Sequence, residues 1–122
     1  MLANQPLKAF IPTLNPVRAK RFYRDTLGLP LLSEDAYALE FNANGTILRV
    51  TTVETLNPHP FTVLGWNVSD LASIVESLVT SGVLLQKYEF LEQDLSGIWT
   101  SPGGTKVAWF KDPDGNLLSL SE

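Results

Sequence analysis

The sequence predicts an α+β domain made of two copies of one β-α-β-β-β unit. Short strand-like apolar runs alternate with two segments of helical periodicity, and each helical segment opens at an Asn or Asp cap and stops at a glycine. That order recurs at a nearly constant offset, with 55 positions from Asn15 to Asp70 and 54 from Gly28 to Gly82. The hairpins correspond as well: Gly45 and Gly115 close turns, after which Ile47, Leu48 and Arg49 align with Leu117, Leu118 and Ser119. A chain of 122 residues suits one packed domain spanning 1–122, with module one at about 7–54 and module two at about 60–122.

Leu7 to Thr13 reads as the first strand, with Pro12 confined to its end because proline cannot donate to a ladder. Asn15 is a plausible N-cap and Pro16 the first helical residue, where a missing N–H costs least. Val17, Phe22 with Tyr23, and Leu27 form the expected core face, Arg18, Lys20, Arg21 and Arg24 a solvated face, and Gly28 the stop. Pro30–Ser33 and Tyr37–Phe41 are the next strands, Asn42 to Gly45 a hairpin turn, and Thr46–Val53 the strand that follows. Thr55 to Pro60 is polar, proline-rich and linker-like.

The second half repeats the pattern. Phe61–Val68 reads as a strand, Ser69 or Asp70 as a cap, and Leu71, Ile74, Val75, Leu78 and Val79 as a helix core face ended by Gly82. Leu84–Tyr88 reads as a strand and Leu91–Gly104 as a long loop holding Trp99. A terminal hairpin then joins Thr105–Phe110 to Leu117–Ser121. Asp112-Pro113-Asp114-Gly115-Asn116 concentrates turn chemistry between those strands.

Composition excludes several function classes. A formal net charge of -4 and a pI near 4.9 argue against a nucleic-acid surface, which needs a basic stripe. No apolar run reaches the roughly 18 residues of a spanning helix, and Met-Leu-Ala-Asn-Gln lacks the basic start of a signal peptide, so a soluble cytoplasmic protein without a membrane partner is expected. Without cysteine there is no disulfide, thiol nucleophile or thiolate metal site. The single histidine, His59, sits between prolines, and no Gly-x-Ser-x-Gly elbow accompanies it.

Strand alternation sorts the candidate site. Leu48, Val50, Leu64, Trp66, Val68, Leu118 and Leu120 form apolar faces suited to cover by the helices. The opposite faces carry Lys8, Phe10, Arg49, Thr51, Val63, Asn67, Ser119 and Ser121, a mixture that suits a ligand pocket. Trp99 and Trp109 join the candidate ligand-binding set, although a loop and a strand beside a cleft also allow each to be core.

Three segments then carry a resemblance: Phe10-Ile11-Pro12 through Ala19-Lys20-Arg21-Phe22-Tyr23-Arg24-Asp25-Thr26-Leu27-Gly28-Leu29, Trp66-Asn67-Val68-Ser69-Asp70-Leu71, and Trp109-Phe110-Lys111-Asp112-Pro113-Asp114-Gly115-Asn116. With the duplicated order, the chain resembles the vicinal oxygen chelate superfamily of glyoxalases, bleomycin-resistance proteins and extradiol dioxygenases. The resemblance implies a glyoxalase/bleomycin resistance-type fold, two modules forming a cupped mixed sheet around a cavity that a second subunit completes, hence a homodimer. The family's enzymes place metal-ligating His, Gln or Glu at positions that correspond here to Lys8, Arg49, Val63 and Ser119. Two cations, a valine and a serine are no divalent-metal set, and a one-residue slip supplies only alanine or leucine. No metal, no cofactor and no catalytic residue is therefore expected.

Three function classes follow. The favoured one is a metal-free protein that binds or sequesters a small organic molecule, anionic or aromatic. The second is a lyase or dioxygenase with an atypical metal site, which would need Glu40, Glu54, Glu89, Glu92 or Asp94 to turn inward with His59. The third is a dimeric interaction protein with a sealed cavity. Lys8 and Arg49 need compensation in an apolar cleft, from Glu40 or Glu54 or from an anionic ligand. In the latter case Arg49 is the better anchor, with Ser119 adding a neutral hydrogen bond.

Overall fold

A computed structural model describes residues 1–122 as two compact units, Met1–Asn57 and Pro58–Glu122, divided inside the stretch expected to be a linker. In the first unit, β1 (Lys8–Thr13) leads through α1 (Pro16–Lys20), which continues as a π-helical segment (Arg21–Thr26), to β2 (Leu31–Glu34), β3 (Ala38–Ala43) and β4 (Thr46–Thr52). The sheet order is β1-β4-β3-β2, with β1 parallel to β4 and the other pairs antiparallel. Pro12 is tolerated because β1 is an edge strand.

Asn15 is the N-cap, its Oδ1 accepting from the Arg18 N–H at 3.1 Å, and Pro16 opens the helix. Val17, expected in the core, is 68% exposed. It precedes Phe22 by five residues, about 140° around an α-helix, so the two cannot share a face. Ala19, Phe22 and Tyr23 do share one, at i, i+3 and i+4, and the Tyr23 ring lies 5.9 Å from Phe41. Ile11, Leu39, Phe41, Leu48 and Val50 complete this buried face. The β3–β4 turn is Asn44-Gly45, both at positive φ, with Asn42 Oδ1 accepting from the Gly45 N–H at 2.7 Å.

The second unit runs β5 (Leu64–Asn67), α2 (Leu71–Thr80), β6 (Trp99–Thr100), β7 (Lys106–Lys111) and β8 (Leu117–Ser121), in sheet order β5-β8-β7-β6 with β5 parallel to β8. Of the two possible caps Asp70 is used, accepting from the Ser73 N–H at 3.2 Å. Leu71, Val75 and Leu78 are buried at i, i+4 and i+7, while Val79, one step round the helix, is 55% exposed and outside the core where it was expected. The Leu71 N–H donates to Glu122 Oε1 at 2.6 Å, tying the helix start to the residue after β8.

The two helices explain the one-residue difference in spacing. Thirteen positions separate Asn15 from Gly28 and twelve separate Asp70 from Gly82. The extra residue is absorbed by π-type widening: Leu29 N–H reaches back six residues to Tyr23 C=O, whereas Val83 N–H reaches back five to Leu78 C=O.

Two strand expectations are corrected. Phe61–Val68 is a strand only over Leu64–Asn67; Val63 stands outside it and exposed, though its N–H still donates to Leu117 C=O at 3.0 Å. Leu84–Tyr88 is not a strand. It makes one bridge, Leu85 with Phe110, plus Gln86 N–H to Trp109 C=O at 2.8 Å, and Trp99–Thr100, expected in a loop, pairs with the rest of β7. The edge of β7 is thus shared end to end by two short pieces of chain. Gln93 fastens the excursion between them: its Oε1 accepts from Tyr88 N–H at 2.7 Å, and its Nε2 donates to Gln86 C=O at 3.0 Å and Gly97 C=O at 2.7 Å. No helix is long and apolar enough to cross a membrane.

Candidate functional site

Each sheet buries one face beneath its helix and leaves the other free of helix, and the candidate residues divide between the two free faces. In module one the register places Phe10 and Glu40 on either side of Arg49, and Pro12 and Ala38 on either side of Thr51; alternation adds Lys8. Lys8, Phe10, Arg49 and Thr51 therefore share a face, as alternation predicts. Glu40 is the centre of its electrostatics, accepting from Lys8 Nζ and Arg49 Nη1, each at 2.9 Å. The two cations hold the Glu40 carboxyl below the usual glutamate range, Lys8 contributing most. Of the two compensations expected for Lys8 and Arg49, the protein's own carboxylate is present. Phe10 stands 62% exposed, its ring centroid 5.9 Å from Lys8 Nζ.

Module two presents a different chemistry on the equivalent face. Ser119 pairs with Gly65 on one side and Trp109 on the other, Asn67 pairs with Ser121, and Trp99 and Ser121 each pair with Val107. Trp109, Trp99, Ser119 and Asn67 thus come together, while Val63 stands just outside β5. Asn67 Oδ1 accepts from Ser121 Oγ at 3.0 Å. The rings form a continuous cluster: Trp99 lies 6.1 Å from Trp109, Tyr88 meets Trp109 edge-on at 5.6 Å, and Phe90 lies 5.5 Å from Tyr88. Partial burial pushes the Tyr88 phenol above its usual range. Gly65 keeps the space beside Ser119 open, because a Cβ there would lie 2.8 Å from Ser119 Oγ. Trp66 faces the helix side opposite Leu120, where it is half-buried.

Two clefts flank the aromatic cluster. One of about 640 Å3 is lined by Phe90, Glu92, Asp94, Ile98, Trp99 and Pro102. Asp94 shapes its wall by accepting from the N–H groups of Ile98 and Ser96 and from Ser96 Oγ, each at 2.9 Å, and the Ile98 bond is the largest cause of its lowered pKa. The other, about 220 Å3, is lined by Pro58, His59, Gln86, Tyr88, Lys111 and Leu117.

The positions matched to the superfamily's metal ligands do not fit a divalent cation. Lys8 and Arg49 are already donors to Glu40, Val63 offers no donor atom, and Ser119 supplies one neutral oxygen. Nowhere do three His, Cys, Asp or Glu side chains gather into a metal-binding group, and the His59 ring stacks on Phe61 at 5.1 Å. Sequence reasoning missed Tyr88, Phe90, Gln86 and Lys111 as site residues. Lys111 was within reach, since it lies two positions from Trp109 and so on the same strand face.

Two modules of this topology, each a four-stranded mixed sheet with one helix, are the architecture of the Glyoxalase/Bleomycin resistance protein/Dioxygenase superfamily, whose family model matches residues 8–120. The chain belongs to that superfamily. Among solved structures it is similar to a superfamily member from Sphaerobacter thermophilus DSM 20745 (21% identity, 100% of this chain and 99% of that one, TM-score 0.77). It is also similar to a glyoxalase family protein from Enterococcus faecalis (20% identity, 100% of both chains, TM-score 0.73). A third is a lactoylglutathione lyase from Agrobacterium tumefaciens (15% identity, 100% and 96%, TM-score 0.76). At these identities the likeness establishes the fold. A comparison with curated proteins returned no match.

Proposed function

We propose that this chain is a metal-free binding protein of the superfamily, taking a small organic molecule with an aromatic ring on the helix-free face of module two and acting as a homodimer. One observation carries the reading: Trp99, Trp109 and Tyr88 cluster on a sheet face that also presents the Ser119 hydroxyl and has no Cβ at Gly65. Aromatic walls with a few polar groups suit a flat, largely apolar ligand. Asn67 borders this site and Val63 lies at its edge. Lys8, Phe10, Arg49 and Thr51 belong to the module-one face, whose two cations are already held by Glu40, so we assign the ring to module two. The metal-free part rests on the donor chemistry at Lys8, Arg49, Val63 and Ser119. The homodimer rests on exposed apolar side chains, among them Val17, Leu32, Tyr37, Val79 and Leu84, which closed symmetry would bury.

Thermal shift against a panel of single-ring aromatic compounds, with and without chelator, tests the reading. A ligand that binds only the folded state raises Tm, and the rise is expected to be unchanged by chelator. Stoichiometric zinc, iron, nickel or manganese in the purified protein, or metal-dependent turnover of a hemithioacetal or a catechol, would overturn it in favour of a lyase or dioxygenase. Light scattering is expected to report a dimer.

A further inference from the structure

The smaller cleft of module two has a one-sided chemistry. Its side chains with polar atoms are His59, Gln86, Tyr88 and Lys111, each able to donate a hydrogen bond, and no carboxylate lines it. Lys111, like Arg21, Lys87 and Lys106, makes no ion pair, whereas Lys8, Lys20, Arg24 and Arg49 each have one, and of the unpaired cations Lys111 alone lines this cleft. The β7 register puts Lys111 opposite Leu117 and Trp109 opposite Ser119, so the ammonium and the indole share a face, and Lys106 lies on the other. Tyr88 belongs to both neighbourhoods, lining the cleft and meeting Trp109 edge-on at 5.6 Å. The wall formed by residues 58–60 is seated closely on the terminal turn. Gly115, at φ 88°, leaves so little room there that a Cβ would lie 3.2 Å from Pro58 Cγ.

We propose that this cleft is an anion subsite that takes the carboxylate of a small aromatic acid, with Lys111 and His59 at the carboxylate and Tyr88 and Trp109 at the ring. The inference rests on the aromatic-ligand reading above and names the class of its ligand. Size agrees: about 220 Å3 is below the roughly 300 Å3 at which sites for drug-sized ligands begin, and suits a single-ring acid. Arg49, the anchor expected from the sequence, is replaced in this role by Lys111, because Glu40 occupies the Arg49 guanidinium.

Benzoate and its neutral isostere benzamide, titrated into the full chain and followed by amide and indole N–H shifts, test the subsite. The parent is expected to bind benzoate about tenfold more tightly than benzamide, the scale of one charge-assisted hydrogen bond. Lys111→Ala should abolish the preference and Lys111→Arg restore it. Lys106→Ala, which removes the same charge from the opposite face, should leave it intact. Equal binding of the two probes by the parent, or a preference that survives Lys111→Ala, overturns the subsite while the aromatic reading stands. If neither probe produces shifts, the aromatic reading fails, and inorganic phosphate, which needs no ring, decides the subsite alone. Phosphate shifts at His59 and Lys111 that vanish in Lys111→Ala keep it, and their absence removes it.

Discussion

Phe10 and Gly65 hold the same place in the two modules, each paired across the parallel ladder with the residue four positions after its hairpin glycine. In module one that residue is Arg49, which, with Lys8, converges on Glu40 beside the exposed Phe10 ring. In module two it is Ser119, with no side chain on one side and Trp109 on the other. One backbone register therefore carries two surfaces, one whose charges satisfy each other and one whose aromatic rings leave ligand-sized clefts. The difference teaches that one ladder register can carry an apolar helix-facing side in both modules while the opposite faces take on different chemistry.

The hairpin turns give the largest way to sharpen that contrast. Module one turns on Asn44-Gly45 at the surface, but module two turns around Asp112, 5% exposed, whose carboxylate accepts from the N–H groups of Asp114 and Asn116 and from Asn116 Nδ2. Asp112→Ala leaves buried donors of Asn116 without that acceptor and should cost about 3 kcal/mol or more in urea unfolding. Asn42→Ala, which removes one exposed turn bond, should cost about 1 kcal/mol or less.

Gln93 comes next, because module one has no counterpart to the excursion it fastens. Gln93→Ala removes three hydrogen bonds and is expected to cost about 2 kcal/mol. Hydrogen exchange should show the loss as faster exchange at the Tyr88 amide with little change in β3 and β4. Equal acceleration in both modules would break the claim that this loop is a local device.

Gly65→Ala tests the divergent ladder position itself. The new Cβ would approach the Ser119 carbonyl oxygen at 3.2 Å as well as its hydroxyl, so a destabilisation of about 1 kcal/mol and a displaced Ser119 are expected. Phe10→Ala, at the equivalent but exposed position, should change stability by less than about 0.5 kcal/mol.

The smallest effect is the acid limb. Glu40 and Asp35 in module one and Asp94 in module two have folded pKa values below their ordinary 4.5, 3.8 and 3.8. Asp35 is held down chiefly by the N–H groups of Tyr37 and Ala38. Above those ordinary values both states are ionised and stability is level. As pH falls below them the unfolded chain takes up protons first, and the stabilisation is lost as the folded carboxyls titrate in turn. Melting temperature should therefore decline below about pH 4.5, and Glu40→Gln should flatten the start of that decline.

Much of this fold was legible because its signals are local. Caps at Asn15 and Asp70, glycines at the helix ends, and alternation around Leu48, Val50, Leu118 and Leu120 each act over a few residues, and all survive in the structure. The errors arose where tertiary pairing decides. Leu84–Tyr88 has strand composition, yet it bridges β7 only at Leu85, the other end of that edge being taken by Trp99–Thr100 across a turn that Gln93 fastens. Val17 lies outside the core because five residues turn it about 140° from Phe22, whereas Val79, at i+8 from Leu71, sits on the rim of the buried stripe and stands exposed. The superfamily was readable from three motifs, and the faces of Lys8, Phe10, Arg49, Thr51, Asn67, Trp109 and Ser119 from alternation. Tyr88 and Phe90 were not readable as site residues, since their position depends on how the excursion folds back.

The central claim, an aromatic site on module two that needs no metal, is tested most directly by the three indole N–H signals of chelator-treated protein during titration with a single-ring aromatic compound. Trp99 and Trp109 should shift together and saturate, while Trp66, on the helix side, stays still. Shifts confined to the amides of residues 8–10 and 49–51, or indole shifts that emerge only after zinc is added, would contradict it.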